Sequence, residues 1–112
     1  MENKFKENAD WMLHLWNAIN NYAKKIKEGG GEKAAAKQKQ RNKLTARERI
    51  TYLCDADKPF IEIGLFAGFN MYEEYGGCPA AGTVAGMGYV SNRQCVIVAN
   101  DQTVKAGDWF PI

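Results

Sequence analysis

Trp11, Leu15, Ile19, Tyr22 and Ile26 recur at spacings of four and three, and Met12, Leu13 and Trp16 widen the same stripe. That period predicts an amphipathic helix over about Asn8–Glu28. Gly29-Gly30-Gly31 stops it, as a helix end, a hinge or a close backbone approach. Glu32 to Arg41 is rich in Ala, Lys and Gln and has little apolar face, so it predicts an exposed helix or one covered by another chain. After a break at Asn42-Lys43, Thr45-Ala46-Arg47-Glu48 has the spacing of a capping box. A third helix is expected from there to about Cys54, with Ile50, Tyr52 and Leu53 turned inward.

The pattern changes near residue 57, and 8 of the 11 glycines follow it. Phe60 to Leu65 alternates loosely and predicts a strand. Asn70 to Pro79 reads as a loop. Thr83 to Val90 predicts a second strand, Ser91-Asn92-Arg93 a tight hairpin, and Gln94 to Ala99 a third strand. The third is apolar on both faces and is expected at the centre of its sheet. Asn100 to Gly107 is a polar strand exit, where a rigid strand can position functional groups. Asp108-Trp109-Phe110-Pro111-Ile112 ends on apolar residues, so a further helix or strand is expected and the fold should be incomplete at this point.

A chain of 112 residues allows one small domain. Nothing approaches the roughly 18–20 consecutive apolar residues of a membrane span. The opening residues lack the apolar core of a signal peptide, so the expected compartment is the cytoplasm or a matrix-like interior. Cys54, Cys78 and Cys95 are odd in number and widely spaced, and His14 is the one histidine. No zinc set can be drawn from them, and three reduced thiols packed as small hydrophobes are expected.

Charge divides the chain. Residues 1–50 carry 12 Lys and Arg against 6 Asp and Glu, and residues 51–112 carry 3 against 7. Between Lys24 and Arg49 lie 10 basic and 3 acidic residues. Such a stretch attracts phosphates or forms a solvated helix face. Lys43, Arg47 and Arg49 crowd the start of the third helix, whose dipole and free amides favour an anion; they could equally pair with acids across a subunit boundary. A single-strand nucleic-acid binder would interleave aromatic residues with these cations, and none are interleaved. No Gly-Lys-Ser/Thr follows the glycine triplet, which argues against a Walker-type loop. Glu73 and Glu74 are neighbours on a loop and need not converge on a substrate. Asp101 is the best single candidate for a site residue; otherwise it caps a turn.

Taken together the segments are recognisable. Gly29-Gly30-Gly31-Glu32-Lys33 followed by Arg41-Asn42-Lys43-Leu44-Thr45-Ala46-Arg47-Glu48-Arg49-Ile50 resembles the amino-terminal signature of carboxyltransferase (beta) subunits of biotin-dependent acyl-CoA carboxylases. Leu53-Cys54-Asp55 stands where those subunits carry Leu-Leu-Asp. Asn42 stands where glycine is usual, which asparagine tolerates in a left-handed position. Phe60-Ile61-Glu62-Ile63, Gly82 to Gly88 and Val98 to Gly107 are similar to three further family segments, in order. Phe66-Ala67-Gly68 and the Asn-Asp-x-Thr-Val-Lys run resemble the methylcrotonyl-CoA carboxylase type, with the propionyl-CoA type next.

The resemblance implies an α/β, crotonase-like fold, present in part: amino-terminal helices and then a twisted β-sheet. Residues 1–28 are expected as an amino-terminal amphipathic helix, and the resemblance makes 29–112 the start of the carboxyltransferase amino-terminal domain, in truncated form. The implied reaction moves a carboxyl group between carboxybiotin and an acyl-CoA thioester, with enolate charge held by backbone amides. Those oxyanion loops lie beyond the matched region, so no catalytic residue is assigned. Biotin would arrive on a partner protein or domain, a biotin carboxylase or carrier subunit, and the carboxyltransferase would be a homo-oligomer. Lys43, Arg47 and Arg49 are expected at phosphates or at a subunit contact. Asn100, Asp101, Lys105, Ala106 and Gly107 are expected at the floor of the CoA site. A decarboxylase subunit, or a non-catalytic CoA-binding or assembly module, would share these features.

Overall fold

The capping box at Thr45 is complete. Thr45 N donates to Glu48 Oε2 at 2.8 Å, and Glu48 N donates to Thr45 Oγ1 at 3.3 Å. Helix α3 starts there and runs Ala46–Leu53 in the computed structural model, which describes residues 1–111. Ala46 and Ile50, one turn apart, are its buried residues. Cys54 continues that face, whereas Leu53 is half exposed and Tyr52 points to solvent. The expected inward turn of Tyr52 and Leu53 is therefore corrected. Tyr52 lies two positions from Ile50, which is about 200° around a helix.

Two helices precede it. Helix α1 spans Glu2–Lys27 and α2 spans Glu32–Gln40. Asn42 takes the left-handed conformation (φ 55°), which asparagine tolerates better than most residues. In α1 the expected apolar stripe is present but finds little to cover it. Only Ile26 is buried, Tyr22 meets Phe69 edge-on at 5.4 Å, and Trp11, Met12 and Trp16 are each more than 60% exposed.

The sheet has three antiparallel strands, β1 (Ile61–Ile63), β2 (Thr83–Val90) and β3 (Arg93–Asn100), in the order β1-β2-β3. Ile61 pairs with Met87, and Val84 pairs with Ala99. Strand β2 is thus the central one and β3 lies at an edge, which corrects the expectation for the third strand. Its two apolar faces are real. Cys95, Ile97 and Ala99 pack toward α3, but Val96 and Val98 on the other face are 76% and 62% exposed.

Ser91 and Asn92 are both left-handed, the geometry that matches the twist of a two-residue hairpin. The Asp55 carboxylate holds this turn by accepting from Ser91 N at 2.9 Å and Asn92 N at 2.8 Å. The core forms where α3 lies on the sheet: Ala46, Ile50, Val84 and Ile97, with Phe60, Cys54 and Val90 around them. A Cβ at Gly86 would run into the Phe60 ring and the Ile61 carbonyl, so glycine is what lets Phe60 lie against β2.

The Asn70–Pro79 loop contains a short 3-10 turn at Glu73–Tyr75, and Pro79–Gly82 and Lys105–Gly107 form two more. No helix is long and apolar enough to cross a membrane among the described residues.

Candidate functional site

Arg47 at the start of α3 and Asp101 and Thr103 at the polar exit of β3 face one cavity. It measures about 480 Å³ and is lined in part by Arg47, Asp101 and Thr103. Its charged lining is mixed, with Lys27, Lys39 and Arg47 facing Glu28, Glu32, Glu48 and Asp101.

Each expected cation has a defined place. Arg47 makes a fork-to-fork ion pair with Glu62 of β1, at 2.7 Å to Oε2 and 2.8 Å to Oε1. Both side chains are largely buried, at 29% and 13% exposure, so the pair joins α3 to the sheet. Arg49 donates to the Asn100 carbonyl at 2.8 Å and ties α3 to the strand exit. Lys43 is exposed just ahead of the helix, and its backbone N donates to the Gln38 carbonyl at 2.9 Å. At the helix start itself, Glu48 occupies the place an anion would take. Its carboxyl is held below the ordinary glutamate range, first by the Thr45 amide, then by the Thr45 hydroxyl, with Lys39 adding to both. Lys39 Nζ lies 3.4 Å from Glu48 Oε1.

At the strand exit, the buried Asp101 caps a turn. Its Oδ1 accepts from Thr103 N at 2.9 Å and from Thr103 Oγ1 at 2.6 Å. Thr103 Oγ1 in turn accepts from Gly30 N at 2.9 Å. A Cβ at Gly30 would collide with the Thr103 carbonyl. Two readings of the glycine triplet are realised: Gly29, left-handed, follows the end of α1, and Gly30 makes a close backbone approach. Asn100 lends its carbonyl to Arg49, so it belongs to the same junction.

Lys105, Ala106 and Gly107 lie apart from the basic residues, beside a second cavity of about 360 Å³. Lys105 Nζ sits 4.0 Å from the centre of the Phe110 ring and 5.5 Å from that of Tyr75. Phe110 stacks on Tyr72 at 4.3 Å, and the Tyr72 hydroxyl donates to the Pro111 carbonyl. Gly29, Gly30, Gly76 and Gly77 also line this cavity, but their amides are engaged by Ile26 O, Thr103 Oγ1, Glu73 O and Tyr72 O. It therefore offers no nest of free N–H groups for an anion.

Cys78 is buried, and burial pushes its thiol up while Lys105 opposes the shift. The three cysteines are free thiols, Cys54 and Cys95 only partly buried. His14 lies exposed on α1, stacked on Trp11 at 5.6 Å. No group of three metal-ligating side chains comes together among the described residues.

Two residues that organise this junction were not among the expected site residues: Glu62 and Thr103. Thr103 had a signal, since Asp-x-Thr is the spacing of a side-chain-capped turn. Glu62 had a weaker one, as the lone charge inside an apolar strand.

Residues 37–112 match the carboxyl transferase domain family. The chain belongs to that family. It is 41% identical over 109 residues to a probable mitochondrial methylcrotonoyl-CoA carboxylase beta chain of Drosophila melanogaster, covering 97% of this chain and 19% of the relative. It is 42% identical over 104 residues to the biotin-dependent 3-methylcrotonyl-coenzyme A carboxylase beta1 subunit of Mycobacterium tuberculosis, covering 93% and 19%. Among solved structures, the transcarboxylase 12S hexamer with methylmalonyl-coenzyme A bound superposes with a TM-score of 0.73 at 32% identity, over 81% of this chain and 18% of that one. The resemblance to methylcrotonyl-type beta subunits is borne out, and so is the fold class: a mixed α/β part of a crotonase-like fold. The chain spans about a fifth of the length of the curated relatives it matches.

Proposed function

We propose that this chain forms the acyl-CoA-facing part of a subunit that transfers a carboxyl group from carboxybiotin to an acyl-CoA of the methylcrotonyl-CoA or propionyl-CoA kind. The observation that carries this reading is that the segments shared with carboxyltransferases are those whose side chains lock together here: Arg47 with Glu62, Arg49 with Asn100, and Asp101 through Thr103 with Gly30. The family's sequence pattern thus coincides with the physical joints of this structure. Residues 1–28 act as a separate helix, and 29–112 as the start of the carboxyltransferase domain.

Within that reading, Lys43 is the contact for CoA phosphates or a neighbouring subunit, with Arg47 and Arg49 fixing the helix behind it. Asn100, Asp101, Lys105, Ala106 and Gly107 form the floor. Biotin does not fit here. The glycine-lined cavity has its four amides already bonded, so the ureido oxygen would find no donor among them. We read biotin as carried on a partner protein or domain, the arrangement the family resemblance implies. Further copies of the subunit complete a homo-oligomer, in the cytoplasm or a matrix-like compartment.

A chimaera tests the reading. Residues 1–112 replace the matching segment of the Mycobacterium tuberculosis beta1 subunit, which is assayed with its biotin-carrying partner. Carboxylation of methylcrotonyl-CoA is expected, and Lys43→Ala should raise its KM about two- to fivefold, the scale of one exposed charge contact. A folded, assembled chimaera that carboxylates neither methylcrotonyl-CoA nor propionyl-CoA would refute the proposal. An unchanged KM would remove Lys43 from that role.

A further inference from the structure

Gly30 and Thr103 are 73 positions apart, yet one hydrogen bond joins them, and its direction can be worked out. The Gly30 N–H occupies a lone pair of Thr103 Oγ1. The Thr103 hydroxyl proton must then point elsewhere, and Asp101 Oδ1 lies 2.6 Å away. An ionised carboxylate only accepts, so the order of donation is fixed: Gly30 to Thr103 to Asp101. Asp101 also takes the Thr103 amide, and its own N donates to the Gly82 carbonyl at 2.9 Å. Four segments are joined at one point: the glycine turn, the end of β3, the start of β2 and the loop beyond.

That loop is strained. Lys105 and Ala106 are both left-handed without being glycine (φ 44° and 56°). Residues hold such angles only where their surroundings over-determine them. Val104, buried immediately before them, donates its N–H to the Asp101 carbonyl at 3.0 Å. Thr103 also lines both the 480 Å³ and the 360 Å³ cavities, so the same joint forms a wall between them.

We propose that Asp101 and Thr103 are positioning residues, whose hydrogen-bond chain latches the glycine turn to the exit of β3 and holds residues 104–107 in the shape that acyl-CoA meets. This rests on the reading of residues 100–107 as the floor of the CoA site. Asp101 acts through Thr103, by aiming its hydroxyl, and neither needs to touch the substrate.

The chimaera described above carries the test, with Thr103→Val, Thr103→Ser and Asp101→Asn. Valine keeps the shape and removes the hydroxyl; serine keeps the hydroxyl. Hydrogen exchange at the Gly30 amide and the KM for methylcrotonyl-CoA are read for each. Thr103→Val should speed Gly30 exchange about tenfold, the effect of one lost hydrogen bond. It should raise KM by about the same factor with a smaller effect on kcat, and Thr103→Ser should restore both. Unchanged exchange in Thr103→Val would overturn the latch. Faster exchange with KM unmoved would overturn the positioning role. An inactive unmodified chimaera would instead sink the activity reading, while Gly30 exchange still decides the latch. Should Thr103→Val not fold, Asp101→Asn supplies the same two readouts against Thr103→Ser.

Discussion

Arg47 belongs to a basic stretch that reads as a phosphate site, and in the folded chain both ends of its guanidinium face Glu62. A planar fork meets a carboxylate in two parallel bonds, which a lysine cannot imitate. Arg47→Ala leaves Glu62 in a largely buried place without its partner, so a loss of about 2–3 kcal/mol is expected. Arg47→Lys should recover less than half of it. Equilibrium urea denaturation of the chimaera's folded domain measures both, and an unmoved midpoint for Arg47→Ala would refute the structural role. Sequence order alone could not pair these two residues, because nothing local links a helix start to a strand residue 15 positions further on. Asp101 was legible in both of its possible roles. The turn-capping role is the one seen in its hydrogen bonds, through Thr103, whose hydroxyl faces Asp101 on one side and Gly30 on the other.

Helix α3 carries its own start signal. Thr45→Ala should cost about 1 kcal/mol, the usual worth of an N-cap hydroxyl. Glu48 gives that cap a pH dependence whose sign follows from its lowered carboxyl. A carboxylate favoured in the folded state contributes fully above the ordinary glutamate value of about 4.3, and its contribution fades as pH falls through the lower folded value. Stability should therefore drop below about pH 4, and less steeply in Glu48→Gln. Equal acid limbs for the two proteins, followed by circular dichroism, would contradict this. The cap, α2, the hairpin and β2 were all legible because each is specified by neighbours in sequence. The central place expected for the third strand was not, since two apolar faces show what a strand can bury and say nothing of which cover lies within this chain. Tyr52 is outward for a similar reason: its apolar ring suits a core, but its angle around the helix turns it away from the face of Ile50. Apolar spacing marks the first helix only from about Asn8, whereas polar helix formers carry it from Glu2.

The whole molecule is open for its length. Its radius of gyration is 17.0 Å, where a compact domain of this size has about 13 Å. Ile61, Ile63, Val96 and Val98 leave one face of the sheet bare, and Trp11, Met12 and Trp16 do the same for α1. Exposed apolar faces and a free strand edge favour association. The chain alone should elute from size-exclusion chromatography as oligomers or aggregate, and Val96→Lys with Val98→Lys should reduce this. A sharp monomer peak from the unmodified chain would count against it. Helix α1 carries this openness furthest. It is gripped near Tyr22 and Ile26 and projects from there, so its hydrogen bonds depend on one another in series rather than on a core. A helix held at one end opens from the other, one turn at a time, because unwinding the tip disturbs nothing behind it. The free energy needed to open each turn therefore rises steadily from Glu2 toward Ile26, and any surface that meets Trp11 and Trp16 would steepen that slope.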